Sequence, residues 1–98
     1  MTMHVGVARV SLHIAENQSL KGKRMVVRSV VERVRNRFNV AVAEVETQDA
    51  PQVATLGIVC VSGDARHANE MLDKVLDFIE TERLDAEVGA VEMELIPV

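Results

Sequence analysis

From His4 to Ile14 the chain alternates, with Gly6, Ala8, Val10, Leu12 and Ile14 on one parity and Val5, Val7, Arg9, Ser11 and His13 on the other. Period-two alternation is the mark of a half-buried strand, and the uncharged first set is its expected buried face. The run Asn17-Gln18-Ser19 reads as a turn, after which the period lengthens. Ser19 can cap a helix because its hydroxyl accepts an otherwise unpaired amide. That helix is predicted to run to about Phe38 and to close at Asn39. At about 100° per residue, Leu20, Val27, Val30, Val31, Val34 and Phe38 fall on one side and form its core stripe.

A second strand is expected over Val40 to Thr47. Its glutamates mark the wet face, which sets Ala41, Ala43 and Val45 inward and Val40, Val42, Glu44 and Glu46 outward. Gln48-Asp49-Ala50-Pro51-Gln52 then makes a hairpin turn, since Pro51 lacks an amide donor and Asp49 can bond its own backbone. The third strand, Val53 to Ser62, is rich in β-branched residues on both faces, as a central strand should be. Asp64 caps a second helix to about Glu82, with Ala68, Met71, Leu72, Val75, Phe78 and Ile79 inward. Residues 86 to 96 form the last strand, with Val91, Met93 and Leu95 inward and Glu92 and Glu94 outward.

The order β-α-β-β-α-β is the split pattern of a ferredoxin-like α+β fold. Right-handed crossovers predict a four-stranded antiparallel sheet of order 4-1-3-2 with both helices on one face. No linker or low-complexity stretch interrupts the sequence, so residues 1–98 read as a single domain.

Composition changes this picture mainly through charge. The formal net charge of −4 conceals a basic half, residues 1–43 with eight Lys/Arg and two Asp/Glu, and an acidic half with three and thirteen. Such asymmetry points to an electrostatic partner more readily than to a catalyst. No apolar run approaches the roughly 20 residues that cross a bilayer. The first residues lack a basic, apolar, small-residue export pattern, so a cytoplasmic location is expected. Cys60 is the one cysteine and excludes an internal disulfide framework.

Candidate chemistry is sparse. Cys60 alternates with Ile58 and Leu56 and reads as a core thiol. His4, His13 and His67 lack the spacing of a metal site, and no phosphate loop, nucleophile elbow or H-E-x-x-H occurs. No enzyme activity, cofactor, metal or small-molecule substrate is therefore expected.

Seven of the eleven cations lie between Lys21 and Arg37, opposed there only by Glu32. Lys21, Arg24, Arg28 and Arg35 share a stripe along the edge of the core face, which could track phosphates. Ion pairing of Glu32 with Arg28 and Arg35 is the competing use of that stripe. Lys23 lies nearer the core and would have to snorkel. The sheet face away from the helices is expected to display Val5, Val7, Val40, Val42, Val59, Val61, Val88 and Ala90 inside a charged rim. That composition fits an oligomer or partner interface. It lacks the aromatics on which RNA-binding sheets stack bases.

Three blocks, Ser19-Leu20-Lys21-Gly22-Lys23-Arg24, Asn39 to Val45 and Gln48-Asp49-Ala50-Pro51-Gln52, together resemble the YlxP-like family of small bacterial proteins over nearly the whole chain. The resemblance implies a ferredoxin-like fold, no assigned biochemical activity, and an association with translation and ribosome-maturation genes. Two departures stand out. Gly22 replaces a glutamate that would complete a capping box with Ser19. Pro51 and Val53 stand where the family commonly has a tryptophan and an arginine.

Topology places His13, residues 19–24 and residues 48–52 at one edge of the sheet. That edge is either an anion site or a cap and tight turn fixed by the motifs. The leading expectation is a non-catalytic module that binds RNA or a ribosome-associated assembly, with Lys21, Lys23, Arg24, Arg28 and Arg35 on phosphates and Gln48 and Gln52 as hydrogen-bonding partners. The alternative is a protein-interaction or homodimerising module that uses the valine-rich sheet face.

Overall fold

A computed structural model describes residues 2–14, 19–82 and 85–98, so Asn17 and Gln18 of the expected turn lie outside it. The elements are β1 (His4–His13), α1 (Leu20–Arg37), β2 (Ala41–Val45), β3 (Val53–Ser62), α2 (Ala65–Thr81) and β4 (Glu87–Pro97). All sheet neighbours are antiparallel and the order is β2-β3-β1-β4, the expected order read from the other edge. Both helices begin as their sequences dictate. The Ser19 hydroxyl accepts from the Gly22 amide at 3.0 Å and the Asp64 carboxylate from the Arg66 amide at 2.9 Å.

The core lies between the helices and one sheet face. Ala8, Val10, Leu12 and Ile14 of the first segment, Ala54, Leu56, Ile58 and Cys60 of β3, and Ala68, Leu72, Val75 and Ile79 of α2 are all buried. Val27, Val30 and Val34 bring α1 into the same cluster. Phe38 and Phe78 close the gap between the helices, with ring centroids 5.5 Å apart in an edge-to-face contact. Gly6 lets α2 approach β1: a Cβ there would lie 2.9 Å from Cys60 Sγ and 3.0 Å from Leu72 Cδ1. Cys60 is a core thiol, within 3.6 Å of the Ala68 carbonyl. Burial pushes its pKa up, partly opposed by a backbone hydrogen bond from Gly6. At neutral pH it is therefore protonated and a poor nucleophile. No helix among the described residues is long and apolar enough to cross a membrane.

Two strands differ from expectation. In β2 the register sets Val42 opposite Ile58 and Glu44 opposite Leu56. Val42 is therefore a core residue, Glu44 faces α1, and Ala41 and Ala43 are exposed. The glutamates mislead about the wet face because Glu44 is paired beneath the helix. In β4, Val10 pairs with Val91 but Leu12 with Val88, so a bulge adds one residue opposite Ser11. The bulge reverses the alternation, and Val88 packs against the core instead of facing outward.

Candidate nucleic-acid interface

Lys23 occupies the core phase of α1 along with Val27, Val30 and Val34, and none of it reaches solvent. A buried ammonium must find an acceptor for each of its three protons. Lys23 Nζ meets Glu44 Oε2 at 2.7 Å, donates to the Thr47 carbonyl at 2.5 Å and donates to the Val53 carbonyl at 3.1 Å. One side chain thus ties α1 to both strands of the β2–β3 hairpin. The expectation that Lys23 contacts phosphate is corrected: its donors are spent inside the protein.

The hairpin is shaped to supply those acceptors. Glu46 adopts φ 65°, and the Thr47 amide donates to the Val45 carbonyl at 2.7 Å. This is a γ-turn of the strained, positive-φ class, which turns the next carbonyl, that of Thr47, toward the helix. The Thr47 carbonyl also accepts from the Ala50 amide at 3.0 Å. The Thr47 hydroxyl lies 3.0 Å from Glu44 Oε2 and accepts from the Thr55 amide at 2.7 Å. Every polar group around Lys23 is accounted for, and no buried side-chain nitrogen or oxygen among the described residues lacks a partner.

The expected convergence of strand end, helix start and hairpin does occur. The Ile14 amide donates to the Gln52 carbonyl at 2.9 Å, on the side of the hairpin that Lys23 grips. Lys23 makes this edge a junction between α1 and the hairpin. Gln48 Nε2 folds back toward the Glu44 carbonyl at 3.4 Å, a long contact within its own hairpin. Gln52 is exposed.

The remaining cations of α1 behave differently. Lys21, Arg24, Arg28 and Arg35 are all exposed. None forms an ion pair among the described residues, so the expected pairing of Glu32 with Arg28 and Arg35 is absent. Arg35 Nη2 donates to the Val42 carbonyl at 3.1 Å, which sets this flank of the helix beside edge strand β2. From Lys21 to Arg35 the stripe runs about 21 Å at about 1.5 Å per residue. Met25, 68% exposed, lies beside it on a shallow surface lined also by Arg28, Ser29, Glu32, Arg33 and Asn36. Arg37 instead covers the Phe78 ring, 5.1 Å from its centroid.

On the opposite sheet face a concavity of about 460 Å³ is lined by Val7, Arg9, Val45, Glu46, Gly57, Glu92 and Glu94, among others. Arg9 Nε lies 2.7 Å from Glu46 and its Nη1 lies 3.7 Å from Glu92. Its one cation is outnumbered by carboxylates, which disfavours an anionic ligand. Of the seven valines expected here, Val59 and Val61 are exposed, Val5 and Val7 are half-buried, and Val88 is turned to the core by the bulge. Val42 is withdrawn into the core, and Val40 packs against it. No group of three His, Cys, Asp or Glu among the described residues is placed to hold a metal ion.

Residues 5–93 match the family model described as "Protein of unknown function (DUF503)". The chain is also 36% identical over 77 residues to "Uncharacterized protein YlxP" of Bacillus subtilis (strain 168), across 79% of this chain and 84% of that protein. Lys23 lies in the block Ser19 to Arg24 and Glu44 in the block Asn39 to Val45, so two of the three sequence blocks contribute the charged members of the clamp.

Proposed function

The chain belongs to the DUF503 family of proteins of unknown function, and from that premise we propose that it is a non-catalytic cytoplasmic module that binds structured RNA, within a ribosome-associated assembly, through the exposed flank of α1. The observation that carries this reading is the division of the helix's cations. Lys23 is sealed in protein, whereas Lys21, Arg24 and Arg28 stand exposed with no ion pair among the described residues. Unneutralised cations at helical spacing suit a phosphate backbone, which is read by shape in double-stranded RNA. Arg35 joins them through the part of its guanidinium not engaged by Val42. Gln48 and Gln52 stand at the neighbouring hairpin and belong to the proposal only as flanking hydrogen-bonding groups.

Three to four phosphate contacts imply a slope of about −3 in log affinity against log salt. Titrating a structured RNA at low and moderate salt should show that dependence, and Lys21→Glu combined with Arg24→Glu should weaken binding about tenfold or more. Absence of binding at low salt, or equal binding by the charge-reversed variant, would overturn the reading.

Docking or dimerisation through the valine-rich sheet face is the second reading, favoured by Val61, which is 59% exposed, and Val59, 39% exposed. It is the weaker one. Val42 has left that face, and the concavity beside it is dominated by ion-paired groups.

A further inference from the structure

The two edges of the sheet are finished in different ways. β2 is five residues long, lies against α1, and has the Val42 carbonyl capped by Arg35. Short length and a cation on the edge are the usual means of blocking further strand pairing. β4 is eleven residues long and pairs along one side with β1, from His4↔Pro97 to His13↔Glu87. No strand among the described residues lies on its other side. Its bulge is confined to the Gly89 end and its proline is Pro97, which leaves residues 91–96 a regular edge with no lysine or arginine.

The side chains of that edge alternate in chemistry. On the helix side Val91, Met93 and Leu95 remain 43%, 38% and 37% exposed, although Val10, Ala8 and Gly6 beside them in β1 are buried. Helix α2 therefore covers β1 completely but the last strand, which it also touches, only in part. On the other face Glu92 and Glu94 are exposed. Arg9 reaches Glu92 at 3.7 Å, and Glu94 has no ion pair among the described residues.

We propose that the outer edge of β4 receives an extended segment of a partner protein whose residues alternate between apolar and cationic. Main-chain hydrogen bonds would continue the sheet, apolar residues would cover Val91, Met93 and Leu95, and cations would face Glu92 and Glu94. A second copy of this chain is the wrong occupant. Antiparallel self-pairing that stacks the two Val91-Met93-Leu95 rows about Met93 sets Glu92 of each copy opposite Glu94 of the other, and like charges directly opposite are destabilising. The partner must bring the charge that this edge lacks.

The test is a titration of the isotope-labelled protein, followed by amide chemical shifts, with a short synthetic peptide alternating valine and lysine. A peptide alternating valine and glutamate is the control. Shifts confined to β4 and its β1 neighbours, about tenfold weaker binding in Glu92→Lys with Glu94→Lys, and no binding of the control are expected. Both glutamates are exposed, so the variant should keep its spectrum; should it not, the contrast between the two peptides on the unmodified protein decides. Shifts on α2 instead, equal binding of both peptides, no binding, or a dimeric protein whose β4 amides are already protected from exchange would overturn the proposal.

Discussion

Lys23→Met is expected to lower the free energy of unfolding by about 3–5 kcal/mol, the usual penalty for removing one partner of a buried ion pair. The loss has a defined origin. Glu44, whose side chain is only 14% exposed, would keep its charge position under α1 without its cation. The Thr47 and Val53 carbonyls would each lose a donor, at about 1–3 kcal/mol where a buried group is left unpaired. The helix would also lose its tie to the hairpin that carries the strained turn at Glu46. Lys23→Met with Glu44→Leu should be less destabilised than the sum of the single changes, because the second substitution removes the stranded carboxylate. Urea denaturation of the four proteins reads the cycle directly. A loss below about 1 kcal/mol for Lys23→Met would show that the clamp is not needed for stability.

Gly6→Ala is the second large effect, and it acts by crowding. The added Cβ would sit 2.9 Å from Cys60 Sγ and 3.0 Å from Leu72 Cδ1, both deep in the core, where little can give. Overpacking of this kind costs about 1–3 kcal/mol, offset by about 0.4–1 kcal/mol from the stiffer unfolded chain. Gly6→Val should be worse, since its branches extend into Leu72 and push α2 from the sheet. Gly6 and Cys60 are cross-strand partners, so Gly6→Ala with Cys60→Ala trades volume across one contact and should recover part of the loss. A shift of the urea midpoint measures each step; no loss in Gly6→Val would contradict the close approach of α2.

The alternation of the first strand and the stripe of the second helix were legible because each carries an unbroken run of apolar residues in one phase. Their buried faces are those the pattern predicts. The second strand departs from its expected facing for a physical reason that also identifies the clamp. Treating Glu44 as a marker of solvent ignores that Lys23 stands out of phase with the wet face of its own helix. Two misplaced charges on facing elements are the signature of a buried pair, and reading them together would have set Val42 inward. The bulge near Gly89 left a weaker signal, one glycine in a strand, and it reversed Val88. The basic stripe was visible from spacing alone. Whether its cations were already neutralised was not, since a helix-surface pair contributes only about 0.2–0.5 kcal/mol and need not form.

This partition changes what the family-like blocks mean. Ser19 caps α1, Lys23, Glu44 and Thr47 lock it to the hairpin, and Lys21 and Arg24 are carried outward by the same turns of helix. A fixed helix start presents the proposed phosphate contacts in a defined line, so the structural and binding residues alternate within one motif. The acidic strand β4 lies at the edge of the sheet opposite β2, so the two proposed partners would occupy separate surfaces.

Chemical modification of lysines in the native protein, with and without a structured RNA, tests this division most directly. The chain has three lysines, Lys21, Lys23 and Lys74. Reductive methylation followed by mass spectrometry should find Lys23 unmodified in both conditions, Lys21 modified alone and protected by RNA, and exposed Lys74 on α2 modified in both. Modification of Lys23 at the rate of Lys21, or RNA protection of Lys74 with none at Lys21, would contradict it.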